Sequence, residues 1–268
     1  MKLFDTHAHL TDPAFKEGID SVISEANKND VEYMINICCD IESIEIGLET
    51  IYGKKNILTA IGLHPNYADK IKQDDLRYVK ECLEKNSNIA AIGETGLDYY
   101  RDTSGKKQQK ELFRKHIEWA LEFDLPIIIH NREAHKDILD IIKDYSINRG
   151  VIHCFSGTLE FAQTCLSRGF YISFAGNLTY PNAPDLRQVA KDIPNDRILI
   201  ETDCPYLAPQ AVRGKRNQPS FLKYTALELA KVKGLDAEEV ACHTTENAKR
   251  LFGLTNIGEK NDRRARTD

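Results

Sequence analysis

The segment Phe4–Asp12, which reads FDTHAHLTD, carries two histidines separated by one residue. Side chains two positions apart in a β-strand point to the same face, so a strand that ends here directs His7 and His9 into one space. Imidazole nitrogen is a common ligand of divalent metal ions. The pair therefore indicates one wall of a metal site, although an isolated pair of this kind also fits the surface of a strand.

Other side chains with catalytic or metal-binding chemistry directly follow short apolar runs. They are His64 in IGLHP, Glu94 in IGETGLD, His130 in IIIH, His153 in VIHC and Asp203 in LIETD. Considered singly, His130 fits a capped histidine of the core and Asp203 fits the N-cap of a following turn. Considered together, five of the eight histidines stand at the ends of predicted strands, which favours a common site.

The donor atoms favour a hydrolytic centre with two ions. Four histidines, a glutamate and an aspartate would give six ligands with imidazole nitrogen or carboxylate oxygen and none with a thiolate, which is typical of an open catalytic site rather than a closed structural one. One tetrahedral ion does not need six ligands, whereas two ions that share Glu94 would use all of them.

Short apolar runs alternate with amphipathic stretches, which is the pattern of β-α units around a parallel sheet. The predicted strands are Leu3–His7, Met34–Cys38, Ile57–Ile61, Ile89–Ile92, Pro126–His130, Val151–His153, Tyr171–Phe174 and Ile198–Glu201. The predicted helices span 18–29, 41–53, 74–85, 107–123, 134–145, 159–168, 185–191, 219–233 and 237–252, and 175–184 is predicted as a loop.

Strands that recur about every 28 residues favour a single (β/α)8 TIM barrel, with a doubly wound open sheet as the alternative. A closed barrel gathers the residues that follow its strands at one mouth, so the metal site is expected at the C-terminal ends of the strands. An open sheet would spread the same residues along an edge. We expect the barrel to occupy residues 1–253 and a polar, frayed tail to occupy 254–268.

The chain has 268 residues, of which 41% are hydrophobic and 29% charged, so it can bury a sizeable core. No apolar run approaches the ~18 residues of a membrane span, and the start MKLFDTH lacks the features of a secretory signal. We therefore expect a cytoplasmic protein without a membrane contact, and no obligate protein partner is evident. The net charge of -5 means that any contact with nucleic acid depends on local basic residues.

The remaining histidines and the cysteines are expected to lie outside the site. His116, His135 and His243 fall within or at the start of helical patterns and are predicted to have surface or helix roles. The seven cysteines lack C-x-x-C spacing, which argues against a disulfide framework or a zinc finger. Cys154 and Cys204 adjoin predicted ligands, but strand alternation would turn both away from the metals.

Several motifs occur in order along the chain: THAHL, AIGLHP, IGETGLDYY, IIIHNREA, HCFSG, the loop at Asn177, LIETDCPYL and RGKRNQPS. With these motifs the chain resembles the TatD-like metal-dependent hydrolases, a branch of the amidohydrolase superfamily, over residues 1–253. The resemblance implies a TIM barrel, two divalent metal ions and nuclease activity on DNA, commonly 3′ to 5′ exonuclease trimming.

The resemblance also implies roles for single residues. It places His64 at the position expected to contact the scissile phosphate rather than a metal ion. The chain departs from the family pattern at Gln218, where the family usually has an acidic residue, and this departure is expected to alter how the loop around Arg216 is held. The resemblance places one ion on His7, His9, Glu94 and Asp203, and the second ion on Glu94, His130 and His153.

Hydrolysis of a phosphodiester requires an activated nucleophile, stabilisation of developing charge and a protonated leaving group. Paired divalent ions lower the pKa of water from about 15.7 toward 7 and stabilise the charge. Asp203 is predicted to steer the water or accept its proton, and Glu94 to bridge the ions. His64 is predicted to bind a phosphate oxygen or assist the leaving group. Flanking phosphates would be bound by Arg132 and by a basic loop containing Arg213, Lys215 and Arg216.

The substrate is expected to be DNA, as single strands or 3′ ends. Aromatic residues in loops after the strands would stack unpaired bases, although each of them also fits simple packing under a loop. These residues are Tyr99, Tyr100, Phe155 and Tyr206. The mixed imidazole and carboxylate ligands favour zinc or manganese, whereas the resembled family commonly uses magnesium, so the identity of the metal stays open.

Two other functions compete with the nuclease. The same centre would hydrolyse an ester or an amide, such as the ester of a D-aminoacyl-tRNA. Alternatively, the barrel would bind nucleic acid or metal without catalysis, in which case Asp203→Ala would change binding without loss of any turnover.

Overall fold

The computed structural model describes residues 1–15, 18–51, 54–101 and 104–254. Within these residues, strands and helices alternate. The strands are β1 (Leu3–Ala8), β2 (Val31–Cys38), β3 (Ile57–Ile61), β4 (Ile89–Asp98), β5 (Ile127–Arg132), β6 (Gly150–Ile152), β7 (Tyr171–Phe174) and β8 (Ile198–Ile200). The α-helices are α1 (Ile19–Lys28), α2 (Ile41–Thr50), α3 (Gln73–Lys85), α4 (Lys106–Glu122), α5 (His135–Lys143), α6 (Leu159–Ser167), α7 (Pro184–Asp192), α8 (Leu222–Lys233) and α9 (Ala237–Phe252).

All eight strands belong to one sheet, in the order in which they occur along the chain. Each pairs with the next in parallel. A further parallel bridge joins Ala8, at the end of β1, to Cys204, just beyond β8. The sheet therefore curls round to meet its own first strand, which confirms the predicted (β/α)8 TIM barrel. The doubly wound open sheet is wrong.

Two apolar layers hold the barrel together. The outer layer lies between the strands and the helices, where Met34 and Ile129 contribute from strands and Phe113 and Ile138 from helices. The inner layer consists of alternate strand residues that point into the barrel, because side-chain direction alternates along a strand. Its strand members are Phe4, Ile35, Ile37, Ala60, Ala91, Ile128, Val151, Tyr171 and Leu199. The last turn of α9 joins this inner layer, with Phe252 6.0 Å from Phe4 between ring centroids.

Local capping explains several helix boundaries. At the start of α2, the Asp40 carboxylate accepts a bond from the backbone N–H of Ser43, whose hydroxyl in turn accepts one from the backbone N–H of Asp40. This reciprocal arrangement satisfies two backbone donors that the helix leaves free. Gly234 ends α8 in the left-handed conformation (φ 66°), which glycine adopts without a steric penalty.

Several predicted boundaries differ from the structure, and β2, for example, begins at Val31 rather than at Met34. β4 continues to Asp98, beyond the predicted end at Ile92, because its polar and glycine residues are buried although they form no apolar run. The helix predicted to start at residue 219 begins at Leu222, after a 3-10 turn at Pro219–Phe221. The segment 175–184, predicted as a loop, contains a 3-10 turn at Gly176–Thr179.

The predicted tail at 254–268 lies outside the described residues except for Leu254. None of the helices in the described part of the chain is long and apolar enough to cross a membrane. The seven cysteines are free thiols.

Candidate metal centre

Three of the predicted ligands lie at the seam where β1 meets the segment after β8. The N–H of Asp203 donates to the carbonyl oxygen of His7 at 2.9 Å. The N–H of His9 donates to the carbonyl oxygen of Cys204, also at 2.9 Å. The buried carboxylate of Asp5 crosses the same seam and accepts bonds from the backbone N–H (2.9 Å) and the hydroxyl (2.6 Å) of Thr202. Barrel closure therefore fixes His7, His9 and Asp203 relative to one another.

A first cluster of four donor atoms forms beside this seam: Nε2 of His7, Nε2 of His9, Oδ1 of Asp203 and Oε2 of Glu94. The two imidazole nitrogens are 3.2 Å apart, and His7 lies 3.4 Å from Glu94. The other measured separations in the cluster are 3.4 to 3.7 Å. Four ligands arranged tetrahedrally at ~2.1 Å from one ion are about 3.4 Å apart. The first cluster therefore has the dimensions of a tetrahedral metal site.

A second cluster forms around the other carboxylate oxygen of Glu94. Oε1 lies 2.8 Å from Nδ1 of His130 and 2.8 Å from Nε2 of His153. The two nitrogens are 3.1 Å apart. These atoms come from β4, β5 and the residue after β6, so neighbouring strands of the barrel build the cluster.

The remaining ring nitrogens of these two histidines determine which atoms face Glu94. Nε2 of His130 lies 3.2 Å from Oδ2 of Asp98, and Nδ1 of His153 lies 3.2 Å from Oε1 of Glu201. A carboxylate only accepts hydrogen bonds, so each of these nitrogens carries a proton. The opposite nitrogen donates to Glu94 while the ring is protonated, and it presents a lone pair to the cluster when the ring is neutral. With both rings neutral, three electron-rich atoms this close repel one another unless a proton or a metal ion lies among them. The second cluster therefore also fits a bound metal ion.

Glu94 contributes to both clusters, with one carboxylate oxygen to each. Its side chain is almost fully buried. Burial opposes ionisation, but His153, His64 and His130 outweigh burial and hold the pKa of Glu94 well below its usual value. The side chain is thus a carboxylate at neutral pH, as a bridge between two cations requires.

Asp98 and Glu201 have no role in the sequence analysis above, yet both are almost completely buried against predicted ligands. The missed signal is strand alternation. Asp98 stands four positions after Glu94 on the same strand, so it faces the same side, and Glu201 stands two positions before Asp203. Carboxylates at such positions orient metal-binding histidines and increase their basicity.

His64 lies beside the second cluster, with Nε2 3.4 Å from Oε1 of Glu94. Its Nδ1 accepts a bond from the backbone N–H of Asn66 at 3.1 Å. Since Nδ1 is an acceptor, Nε2 of the neutral ring carries the proton and points into the site as a donor. Burial is the main cause that lowers the pKa of His64, so the neutral ring is favoured. In this tautomer His64 can donate to a substrate oxygen. Its exclusion from the metal ligands stays a prediction, because His64, Glu94 and His130 also lie close enough together to hold an ion.

Two glycines flank Glu94 where β4 passes closely against β5. Gly93 has φ 140° and Gly96 has φ 132°, values that other residues rarely adopt. A Cβ on Gly93 would lie 2.6 Å from the carbonyl oxygen of Ile128, and a Cβ on Gly96 would lie 2.1 Å from that of His130. The IGETG motif thus lets two backbones approach at the point where Glu94 must reach both clusters.

The predicted phosphate-binding residues have partners within the protein. The guanidinium of Arg132 lies 3.9 Å from the centre of the Tyr100 ring, and that of Arg213 lies 4.1 Å from the centre of the Tyr180 ring. Arg216 donates to the carbonyl oxygen of Ala14. Lys215 is exposed. A role for these side chains in binding phosphate stays a prediction.

The loop around Arg216 is held by Asn217 rather than by the residue at 218. The buried Asn217 amide donates to the carbonyl oxygens of Thr202 (2.8 Å) and Tyr206 (2.6 Å). Within the described residues, the bonds of Gln218, the departure from the family pattern, are local: its amide nitrogen donates to the hydroxyl of Ser220 at 2.7 Å. The loop thus keeps an anchor close to Asp203 without an acidic residue at 218.

Two of the aromatic side chains predicted to stack bases are unavailable. Phe155 is buried between Phe161 and Phe174, and the hydroxyl of Tyr99 donates to Asp137 at 2.6 Å in a half-buried position. The stacking prediction is therefore wrong for Phe155 and Tyr99, because both side chains pack beneath the loops. Tyr100 and Tyr206 are exposed.

The prediction that Cys154 turns away from the metals is also wrong. The residue follows the end of β6 with φ 43°, so strand alternation no longer determines its direction. Its N–H donates to the Glu201 carboxylate at 2.7 Å. Burial and the nearby carboxylates of Asp203, Glu201 and Glu94 raise the pKa of the thiol well above its usual value, which makes Cys154 a poor nucleophile. Cys204 is buried in the outer apolar layer, as expected.

The three other histidines lie on helices. His116, expected in a surface or helix role, is fully buried on α4, where its Nδ1–H donates to the carbonyl oxygen of Leu112 at 2.8 Å and its Nε2 accepts from the N–H of Leu63 at 2.9 Å. Burial lowers its pKa to about 4. His135 begins α5 and stacks on Phe161, and His243 is exposed on α9.

Comparison with known proteins identifies the family. Residues 4–253 match the model of the family described as TatD related DNase. A Bacillus subtilis (strain 168) protein described as uncharacterized metal-dependent hydrolase YabD is 46% identical over 254 residues, which cover 94% of this chain and 99% of that protein. The 3'-5' ssDNA/RNA exonuclease TatD of Erwinia tasmaniensis is 32% identical over 260 residues, which cover 94% of this chain and 100% of that protein.

Solved structures agree with this result. The crystal structure of YJJV, a TatD homolog from Escherichia coli K12, superposes with a TM-score of 0.90 at 28% identity and covers 94% of this chain and 98% of that one. A hydrolase of the TatD family from Entamoeba histolytica superposes with a TM-score of 0.86 at 26% identity, over 95% of this chain and 99% of that one. The chain therefore belongs to the TatD related DNase family.

Proposed function

We propose that this chain is a metal-dependent hydrolase that cleaves phosphodiester bonds of DNA and trims single strands from the 3′ end. The observation that carries the proposal is the position of Glu94, whose two oxygens belong to two separate clusters of metal-binding atoms. A carboxylate shared between two divalent ions is a common basis of phosphodiester hydrolysis.

Membership of a family described as DNases supports the choice of DNA. The direction and the single-stranded substrate are supported by the Erwinia tasmaniensis relative, whose name is 3'-5' ssDNA/RNA exonuclease TatD. The Bacillus subtilis relative is described as a metal-dependent hydrolase, which supports the metal requirement.

The first cluster would hold one ion through His7, His9, Asp203 and Glu94, and the second cluster would hold another through Glu94, His130 and His153. When bound, two divalent ions lower the pKa of water and stabilise negative charge on a phosphoryl group. The mixed nitrogen and oxygen donors fit zinc and manganese well. Magnesium is the alternative, although it prefers oxygen ligands.

Protein side chains would perform the proton transfers. Burial opposes ionisation of Asp203, but its contact with His9 and the proximity of His7 and His153 outweigh burial and lower its pKa, so its carboxylate is available as an acceptor for a proton from the attacking water. His64 presents Nε2–H to the same space and would donate to a non-bridging phosphate oxygen or to the leaving oxygen. Arg132, at the end of β5, would bind a flanking phosphate.

An ester hydrolase is the competing function, because the same clusters would polarise the carbonyl group of an aminoacyl ester. Structures of a dipeptidase and of organophosphorus hydrolases with 14 to 16% identity share the barrel fold with this chain and decide nothing about its substrate. A substrate panel therefore has to separate the two functions.

The test uses purified protein reconstituted with Mn²⁺, Zn²⁺ or Mg²⁺ and single-stranded oligonucleotides labelled at either the 3′ or the 5′ end. We expect the 3′ label to be released first as a mononucleotide, while the 5′-labelled strand shortens in a ladder. Asp203→Asn should retain the fold and lose the activity. Hydrolysis of a D-aminoacyl-tRNA ester with intact oligonucleotides under the same conditions would overturn the proposal.

A further inference from the structure

Exposed tyrosines are concentrated at the mouth of the barrel. Among the described residues, five large hydrophobic side chains are exposed, and three of them are tyrosines in loops that follow β3, β4 and β8. The other two, Leu121 and Leu227, lie on the outer helices α4 and α8. Because β8, β1, β2, β3 and β4 are neighbours around the barrel, the three tyrosines share one arc of the mouth. They are Tyr67, Tyr100 and Tyr206.

Tyr206 is held rigidly next to the first cluster. Its ring centroid lies 5.9 Å from that of His9, with an angle of 71° between the ring planes. Its hydroxyl donates to Oδ2 of Asp12 at 3.0 Å, while Oδ1 of Asp12 accepts from the N–H of Ala14 at 2.8 Å. Its carbonyl oxygen accepts from the Asn217 amide. The residue is nevertheless 53% exposed, so the protein fixes an aromatic ring that solvent still reaches.

Tyr67 has the corresponding position next to the second cluster. Its ring centroid lies 6.3 Å from that of His64, with an angle of 67° between the planes. The N–H of Tyr67 donates to the carbonyl oxygen of His64 at 3.0 Å, so one tight turn positions both side chains. Tyr67 is 42% exposed. Tyr100 differs, because the guanidinium of Arg132 already covers one face of its ring.

We propose that Tyr67 and Tyr206 are specificity-determining residues that stack the unpaired bases on either side of the scissile phosphate. An exposed aromatic ring beside a phosphodiester site offers a face to any base, whatever its sequence, provided that the base is not already stacked and paired in a duplex. Preorganised rings lose little conformational entropy on binding. This inference rests on the proposed nuclease function and adds the residues that select single strands.

The test compares two strands of equal length and charge, one with ordinary bases and one with abasic residues at the last two 3′ positions. The enzymes are the wild type, Tyr206→Ala, Tyr206→Phe, Tyr67→Ala and Tyr67→Phe. Leu121→Ala, at an exposed apolar position on the outer helix α4, is the control. Loss of one stacked base should lower kcat/KM about five- to a hundredfold.

On the ordinary strand, we expect each alanine variant to show that loss mainly as a higher KM, whereas each phenylalanine variant loses clearly less than its alanine counterpart because the ring remains. On the abasic strand, the alanine variants should match the wild type, since no base is present to stack. Equal losses on both strands, or no loss on either, would overturn the inference. Wild-type protein that cleaves neither strand would overturn the proposed function, and the inference would fail with it.

Discussion

His64 and His153 follow β3 and β6, and His130 lies near the end of β5. In each ring, the partner of one nitrogen determines what the other nitrogen can do. Carboxylates hold the protonated nitrogens of His130 and His153, which leaves a lone pair for a metal ion. A backbone N–H occupies Nδ1 of His64, which leaves a donor instead. Apolar runs in the sequence predict where these histidines stand. The ring orientations were not predictable, because Asp98 and Glu201 become partners only when distant segments meet.

Removal of the Glu201 charge, which faces Nδ1 of His153, should weaken one metal site selectively. Glu201→Gln keeps an oxygen near Nδ1 but loses the carboxylate, and changes of this kind typically lower metal affinity about 10- to 100-fold. We expect a metal titration to show one weakened site and one site with wild-type affinity. Glu246→Gln on the exposed face of α9 is the matched control. Equal affinities for the variant and the wild type would refute a role for Glu201 in orienting His153.

His64→Asn should separate catalysis from metal binding. The variant loses the Nε2–H donor, and loss of a positioned proton donor typically lowers kcat about 10²- to 10⁴-fold. The metal content should equal that of the wild type, whereas His130→Asn should lose one ion. Metal analysis after dialysis, combined with steady-state kinetics, measures both quantities. A His64→Asn protein that loses an ion would show that His64 is a ligand.

At the scale of secondary-structure elements, the site depends on strands that continue beyond their apolar residues. β4 runs through Glu94 to Asp98 as a fully buried strand, although the sequence predicts its end at Ile92. Hydrophobic periodicity locates apolar strand centres and therefore misses buried polar ends. Those ends carry the predicted ligands and the carboxylates that accept hydrogen bonds from the ligand histidines. The part of the strand that is hardest to predict is therefore the part that forms the site.

The close contact between β4 and β5 leads to a prediction about Gly96. Alanine there would combine strain at φ 132° with a Cβ 2.1 Å from the carbonyl oxygen of His130. Gly234→Ala is the control, because its φ is also positive but its Cβ would meet no atom within 4 Å. The control should lose about 1 to 2 kcal/mol of unfolding free energy. Gly96→Ala should lose clearly more and also lose metal, as measured by urea unfolding and metal analysis. Equal losses in the two variants would contradict the steric argument.

His116 should make the metal-free protein less stable in acid. Its folded pKa of about 4 lies below the ordinary value of 6.5, so the folded state binds fewer protons than the unfolded state. The stabilisation is complete above about pH 6.5 and is lost as the pH falls towards 4, on the order of 3 kcal/mol in total.

Urea unfolding of the metal-free wild type and of His116→Gln between pH 7 and pH 4 measures this effect, because subtraction removes the titration of the site histidines. The stability difference between the two proteins should shrink as the pH falls. A difference that does not change with pH would show that His116 titrates normally in the folded protein.

At the scale of the whole molecule, the barrel brings residues from β1, β4, β5 and the segments after β6 and β8 into one centre. The repeat of apolar runs predicts the barrel, and the barrel predicts that strand-end residues converge. The sequence does not predict the seam contacts of His7, His9 and Asp203 at ångström scale, because they arise only when β1 meets the segment after β8. The sequence also does not distinguish the exposed tyrosines from the buried aromatic residues of the loops, because exposure depends on how each loop folds over the mouth.

The most direct test of the bridging role of Glu94 is a crystal structure of the manganese- or zinc-loaded protein, with the ions located by anomalous scattering. We expect two peaks about 3.5 to 4 Å apart, each bonded to a different oxygen of Glu94, with His7, His9 and Asp203 on one ion and His130 and His153 on the other. A single peak at full metal loading, or both oxygens of Glu94 on one ion, would contradict the two-ion account.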